Sequence, residues 1–219
     1  MCGRYALFLS KRELERAFKA ECPFDLPPRY NIAPGQTGAV IRAEGSGKRT
    51  VSLMKWGLVP SWSKDPSIGN RLINARSETA GEKPSFRSSF RRRRVLVPAN
   101  GFYEWKKERR GKQPYFIHRK DGNPLAMGGL WESWEGGEGY LETYTILTTQ
   151  AVPPLMSLHD RMPVIISPDN IDIWLDPDAD IAHIKKILTA REEDFEIFPV
   201  SKRVNHAGNE GAELLTRPV

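Results

Sequence analysis

The chain has 219 residues, of which 39% are hydrophobic and 10% aromatic, and its formal net charge is +6. Length and composition are typical of a globular domain with a buried core. No apolar run approaches the roughly 18 residues of a membrane helix, and the first residues lack the apolar core of a secretory signal. We therefore expect a cytoplasmic protein without a membrane partner.

The two cysteines, Cys2 and Cys22, are too few for a disulfide scaffold. They form no CxxC pair, and the four histidines are scattered without an HExxH motif. We therefore expect no metal and no other cofactor. The excess of positive charge favours a polyanionic partner but does not identify one.

The first predicted element is a helix over residues 10–20, with Ser10 as N-cap and Glu13 completing a capping box. The Pro-rich segment that follows, 22–36, is predicted to be an ordered loop. Short apolar runs bounded by Pro, Gly or Asn then predict strands at 50–59, 94–99, 101–107, 113–120, 123–131, 142–149, 161–168 and 195–201.

Two details accompany these strands. Asp121-Gly122 predicts a hairpin turn between two of them. Ser167-Pro168 predicts a capped helix start, and a further helix places Ile181, Ile184 and Leu188 on one stripe. Together the elements predict an α+β fold: a single domain over residues 1–219 with a mostly antiparallel, barrel-like β-sheet core and peripheral helices.

Position 2 carries the most informative residue. After removal of Met1, Cys2 would present an α-amine and a thiol on neighbouring carbons. The amine, whose reference pKa is about 8, attacks an aldehyde to give a Schiff base. The thiol then closes a five-membered thiazolidine ring, which an internal cysteine cannot form because its nitrogen is an amide. By position alone, a chance cysteine in a disordered terminus is the more common case.

The neighbouring residues favour the reactive interpretation. Gly3 permits close backbone approach. Arg4 can hold a phosphate and lower the pKa of the thiol.

Motif blocks in order along the chain carry a family resemblance. They read MCGRY, RYNIAPGQ, WGLVPSW with INARSET, PANGFYEWKK and LHDRMPVII. In these blocks the chain resembles the SRAP family (SOS-response-associated peptidases), which includes abasic-site shield proteins. The resemblance spans nearly the whole sequence.

The resemblance implies a catalytic set. Cys2 would be the covalent nucleophile toward the aldehyde of an abasic deoxyribose, and Asn74 would orient the sugar or the catalytic groups. Glu104 would exchange protons near the terminal amine, and His159 would act on the ring oxygen of the sugar. Each of the last three also has a bland interpretation, since Asn74 suits a turn, Glu104 a solvent-facing strand position and His159 a local ion pair.

DNA-binding residues follow from the same resemblance and from the aromatic and cationic composition. Arg4 and Arg76 would bind phosphates that flank the lesion, while Asn31 and Pro34 would shape the pocket. Aromatic platforms beside cations suit single strands, which makes Trp62 and Phe86 stacking candidates. The run 91–94, RRRR, is either a phosphate-binding patch or a solvated face.

The resulting hypothesis is a monomer that binds single-stranded DNA containing abasic sites and is nucleoid-associated when bound. A covalent thiazolidine through Cys2 would shield the lesion, with AP-lyase and self-processing peptidase activities as secondary possibilities. Two alternatives stay open. One is an N-terminal-nucleophile cysteine peptidase, and the other is a noncovalent DNA module that reads modified bases.

Overall fold

The computed structural model describes residues 2–44, 47–109, 111–136, 139–189 and 194–218. Its strands are β1 (Tyr5–Leu7), β2 (Ala20–Glu21), β3 (Arg29–Ile32), β4 (Thr37–Ala43), β5 (Arg49–Trp56), β6 (Asn74–Arg76), β7 (Arg94–Ala99), β8 (Gly101–Glu108), β9 (Gly111–Arg119), β10 (Leu125–Gly136), β11 (Gly139–Gln150), β12 (Arg161–Pro163) and β13 (Phe195–Pro199). Its α-helices are α1 (Lys11–Phe18), α2 (Ser77–Ala80), α3 (Arg87–Arg92), α4 (Pro153–Met156), α5 (Ile171–Leu175) and α6 (Ile181–Ile187).

The strands form two sheets. One has the order β13-β9-β8-β1-β3, and the other has the order β12-β11-β10-β7-β4-β5-β2 with β6 alongside β11. A parallel pairing between β11 and β5 joins two distant strands of the second sheet. That pairing closes β5, β4, β7, β10 and β11 into a barrel, which removes the exposed edges between them.

Packed aromatic side chains fill the space between the sheets. Trp56 stacks on Tyr144 with ring centroids 6.2 Å apart, and meets Tyr5 edge-on at 5.3 Å. The hydroxyls of Tyr5 and Tyr144 share a buried hydrogen bond of 2.7 Å. Gly38 on β4 lies directly against both hydroxyls, so this position has no room for a side chain.

The α+β class and the barrel-like, mostly antiparallel core agree with the prediction. Helix α1 begins after Ser10, whose side chain and that of Glu13 form the predicted capping box. Strand β7 occupies the predicted range 94–99, and the bounds of β8 to β11 lie within five residues of the predicted ones. Among the described residues, no helix combines the length and apolar character needed to cross a bilayer.

Two local predictions are wrong, and a third is confirmed only in part. Asp121-Gly122 does form a turn, with Gly122 at φ +73°, but β9 and β10 belong to different sheets and make no hairpin. The Pro-rich segment 22–36 contains β3, which pairs with β1 at the edge of the first sheet. A helical segment does begin after Ser167, with Pro168 in its first turn, but that turn is a 3-10 helix and the Ser167 side chain makes no cap hydrogen bond.

The contact at Gly38 gives a testable prediction. In Gly38→Ala the new methyl group overlaps both tyrosine hydroxyls, so we expect a loss of about 1–3 kcal/mol in the free energy of unfolding. In a background with Tyr5→Phe and Tyr144→Phe the hydroxyls are gone, and most of that loss should disappear. Urea denaturation of the complete double-mutant cycle measures the difference. An equal loss in both backgrounds would contradict this origin of the glycine requirement.

Candidate active site around Cys2

Cys2 is fully buried, although it lies next to the start of the chain. Its carbonyl oxygen accepts a 2.8 Å hydrogen bond from Asn74 Nδ2, and Asn74 opens β6. Burial raises the pKa of the Cys2 thiol, the charge of Glu104 raises it further, and a hydrogen bond from the Arg4 backbone lowers it in part. The net shift is opposite to the one expected from the Arg4 charge. The thiol is therefore protonated at neutral pH.

Glu104 reaches the same place from β8. Strand β1 pairs antiparallel with β8, and the Tyr103 N–H donates to the Arg4 carbonyl at 2.9 Å. Glu104 is 5% exposed, which rules out the solvent-facing interpretation of this strand position. Burial raises its pKa, while the positive charge of the amino terminus and the Trp105 backbone lower it in part. A carboxyl group with a raised pKa is suited to exchanging protons near neutrality.

His159 lies in the loop between α4 and β12. The charge of the amino terminus lowers the pKa of His159, and the charge of its neighbour Asp160 raises that of Glu104, which indicates that this loop faces the Cys2 site. His159 Nδ1 lies 2.7 Å from an Asp160 carboxylate oxygen and 3.0 Å from the Arg161 backbone nitrogen. A protonated Nδ1 can donate to Asp160, and an unprotonated one can accept from Arg161. Burial lowers the pKa of His159 overall, which favours the neutral ring at pH 7.

Arg4 and Asn31 fasten the carboxy-terminal segment to the site. Arg4 Nη1 donates to Asn31 Oδ1 at 2.6 Å and to the Val204 carbonyl at 2.7 Å, and its guanidinium lies over the Trp105 ring. The Asn31 amide nitrogen contacts three backbone carbonyls of that segment, at 2.8 to 3.3 Å. Asn31 is fully buried, so any effect on DNA would be indirect. Nη1 of the Arg4 guanidinium is therefore already engaged in contacts within the protein.

The other predicted DNA-binding residues lie in different environments. Trp62 is 60% exposed, in the loop that follows β5. Arg76 is exposed at the end of β6, two residues after Asn74, and Pro34 is half-buried. Phe86 is 6% exposed and belongs to the hydrophobic core, so its ring is not available for stacking on a base in this conformation.

Residues beyond the predicted set also belong to the site. Asp160 contacts His159, and Trp105 donates from Nε1 to Asn205 Oδ1 at 2.7 Å while covering Arg4. Both lie inside motif blocks, where Asp160 follows His159 and Trp105 follows Glu104. The Tyr5–Tyr144 pair lies near the thiol as well, since ionisation of Cys2 would raise the pKa of both hydroxyls.

Glu104 and His159 give the site groups suited to proton transfer. Within the described ranges, no group of three or more His, Cys, Asp or Glu side chains is arranged to hold a metal ion. Met1, whose removal the predicted chemistry of Cys2 requires, lies outside the described residues.

Comparisons with known proteins agree with the motif blocks. A model of the SOS response associated peptidase (SRAP) family matches residues 1–207. The abasic site processing protein YoqW of Bacillus subtilis (strain 168) is 39% identical over 98% of this chain and 99% of its own length. The abasic site processing protein YedK of Escherichia coli (strain K12) is 33% identical over 98% and 99%. HMCES of Gallus gallus, also named an abasic site processing protein, is 34% identical over 98% and 77%.

Solved structures share the fold. A protein from Bacteroides thetaiotaomicron superposes with a TM-score of 0.89 at 23% identity and full coverage of both chains, a likeness that concerns the fold alone. A phage-related protein from Bordetella bronchiseptica gives 0.74 at 31% identity, covering 92% of this chain and 95% of its own. The class is thus an α+β barrel protein that buries the second residue of its chain. The chain belongs to the SRAP family.

Burial of Glu104 makes stability depend on pH in a predictable direction. Its pKa in the folded state lies above the ordinary value of 4.5. The folded protein is therefore most stable where the carboxyl is protonated, below pH 4.5, and its free energy of unfolding falls as pH rises through the folded-state pKa. Glu104→Gln has no carboxylate to ionise and avoids that loss. We expect its Tm to exceed that of the wild type near pH 7, with the difference shrinking toward about pH 4. Thermal denaturation across this range measures it, and a difference that does not vary with pH would contradict the assignment.

Proposed function

We propose that this protein captures abasic sites in single-stranded DNA covalently through Cys2, after removal of Met1. The observation that carries the proposal is the burial of Cys2 between Asn74 and Glu104. A chance cysteine in a disordered terminus would have no such partners. The printed names of the relatives, abasic site processing proteins, support the same substrate.

The first step joins the Cys2 amine to the aldehyde of the open sugar. Neutral His159 would accept the proton of the C1′ hydroxyl and, once protonated, deliver it to the ring oxygen as the sugar opens. The amine nitrogen then bonds to the aldehyde carbon, and the hydroxyl of that adduct leaves as water to give an imine. Glu104 is suited to supplying the proton for that water, because burial raises its pKa.

The second step closes the ring. The Cys2 sulfur bonds to the imine carbon, its proton goes to Glu104, and the imine nitrogen takes up a proton. Relative to the separate reactants, the product has lost one water. The neutral thiol is compatible with this order, because the amine acts first and the sulfur needs activation only beside a cationic imine. Because the Cys2 amine reacts first and the thiol only closes the ring, a buried and protonated thiol can still take part in the reaction.

The same thiol argues against the alternative of a cysteine peptidase. Peptidase cysteines act as thiolates, and neighbouring cations or an imidazolium lower their pKa. Here burial and the Glu104 carboxylate raise the pKa of the Cys2 thiol. The alternative of a noncovalent DNA module does not explain why a buried carboxyl group, Glu104, lies beside the position of the Cys2 amine.

The covalent proposal is tested with single-stranded DNA that carries one abasic site. We expect wild type and Cys22→Ala to give a heat-stable adduct on denaturing gels, and Cys2→Ala to give none. Cys22 is also buried, so its variant is the matched control for loss of a thiol. Intact mass should equal DNA plus protein lacking Met1, minus one water.

Borohydride separates the two steps. In Cys2→Ala the terminal amine remains, so reduction of the imine should restore an adduct to this variant. Without the reductant, its imine persists and should favour β-elimination at the 3′ phosphate, which appears as strand cleavage. Absence of any adduct from wild type verified to lack Met1 would overturn the proposal.

Trp62 is proposed to stack on a base near the lesion. Replacing Trp62 by Ala should weaken binding to intact single-stranded DNA by about 1–3 kcal/mol, and Trp62→Phe should keep most of the affinity. Tyr140 is 76% exposed and pairs with Glu135, on the face of the β10–β11 hairpin away from Trp134. Trp134 Nε1 donates to the Ser63 carbonyl in the Trp62 loop, so Tyr140→Ala is the matched control. Fluorescence anisotropy measures each Kd, and equal losses in both alanine variants would count against stacking by Trp62.

A further inference from the structure

The run of four arginines at 91–94 divides into separate environments. Arg94 is 3% exposed, and its guanidinium donates to the carbonyls of Phe90 and Trp174 at 2.8 and 2.7 Å. Arg93 pairs with Glu132 at 2.7 Å. These two side chains therefore hold helix α3 against the barrel and are not available to a ligand.

The remaining cations of α3 face solvent together. Arg87, Ser88, Arg91 and Arg92 line an open cavity of about 480 Å³, which we call the basic shelf. Arg92 has Asp178 only at 4.0 Å, with both side chains at least 75% exposed. Within the described residues, no ion pair involves Arg87 or Arg91.

Such an arrangement is unfavourable without an anion. Like charges four residues apart on a helix, as at Arg87 and Arg91, destabilise it. A solvated face elsewhere in this chain has mixed signs, as on α1, where Arg12 and Arg16 flank Glu13 and Glu15. The exposed, single-sign surface of α3 instead suits phosphate groups, which guanidinium binds in bidentate fashion.

The shelf lies beside the loop that presents Trp62. Glu132 on β10 accepts from Arg93 and from Ser89 of α3, at 2.7 and 3.2 Å. Two residues further along the same strand, Trp134 Nε1 donates to the Ser63 carbonyl at 2.7 Å. Side chains two residues apart share one face of a strand and lie about 7 Å apart. Helix α3 and the Trp62 loop are therefore fastened side by side to one face of β10.

We propose that the basic shelf binds phosphates of the DNA strand outside the lesion pocket, beyond the base that stacks on Trp62. This inference rests on the proposed function and extends its interface. Exposed guanidinium groups at the shelf contact the backbone and not base edges, so binding there is independent of sequence. The shelf contributes to affinity for longer strands and not to the reaction at Cys2.

The test compares two triple variants that each lose three positive charges. One is Arg87→Gln with Arg91→Gln and Arg92→Gln. The matched control is Arg12→Gln with Arg16→Gln and Lys19→Gln, all exposed residues on or just after α1. Anisotropy with lesion-free single-stranded DNA of roughly 20 nucleotides gives Kd at several salt concentrations. A circular-dichroism melt verifies that both variants fold.

For the shelf variant we expect the slope of log affinity against log salt to fall by about 2, since each phosphate contact on a single strand contributes about 0.7. The control should keep the wild-type slope. An unchanged slope in the shelf variant, or an equal fall in the control, would overturn the proposal that the shelf binds phosphates.

A second readout separates this inference from the proposed function. The shelf variant should crosslink a short oligonucleotide, spanning only an abasic site and its neighbours, at the wild-type rate. A lower rate there would overturn the separation of shelf and lesion pocket. Failure of the wild type to crosslink would overturn the proposed function, while the salt slopes would still decide whether the shelf binds DNA.

Discussion

The pairing of β1 with β8 is the contact on which the site depends. Tyr5 lies opposite Phe102, and the Tyr103 N–H bonds to the Arg4 carbonyl. This register brings Glu104 alongside the first residues of the chain. A slip by one residue would turn Glu104 to the other face of the strand and separate it from Cys2. Gly101, which leaves no room for a side chain against β9, helps to keep β8 in this position.

A chain terminus normally frays, yet residue 2 is held from several directions. Asn74 binds its carbonyl, β8 pairs with the strand that follows, and Arg4 bonds to Asn31 and to the carbonyl of Val204. Each partner comes from a different part of the sequence. The motif blocks are scattered along the chain because each supplies one side of the enclosure around Cys2. The buried carboxyl and thiol reduce stability, and this network of contacts offsets that loss.

The sequence alone predicts what depends on local pattern. The capping box of α1 and the apolar run of β7 specify their elements directly, and both form as predicted. Local pattern does not predict strand β3, because a short edge strand in a Pro-rich segment owes its conformation to pairing with β1. The turn at Asp121-Gly122 has the same local chemistry whether or not its flanking strands pair, so sequence cannot tell a hairpin from a crossing between sheets. Likewise, the sequence around an aromatic residue such as Phe86 does not distinguish a ring that stacks on a base from one that packs in the core.

The run of four arginines at 91–94 shows that a cluster of like charges in the sequence need not form one binding surface. The four arginines at 91–94 have different environments, because α3 ends at Arg92 and β7 begins at Arg94. Arg94 is buried against the end of α3, Arg93 pairs with Glu132, and the other two are exposed. The end of the helix exposes carbonyl groups, and Arg94 satisfies that of Phe90 while packing over Trp174. Burying this guanidinium is tolerable only because backbone oxygens surround it. The charges left outside cannot be explained by the fold, and it is these that point to an anionic partner.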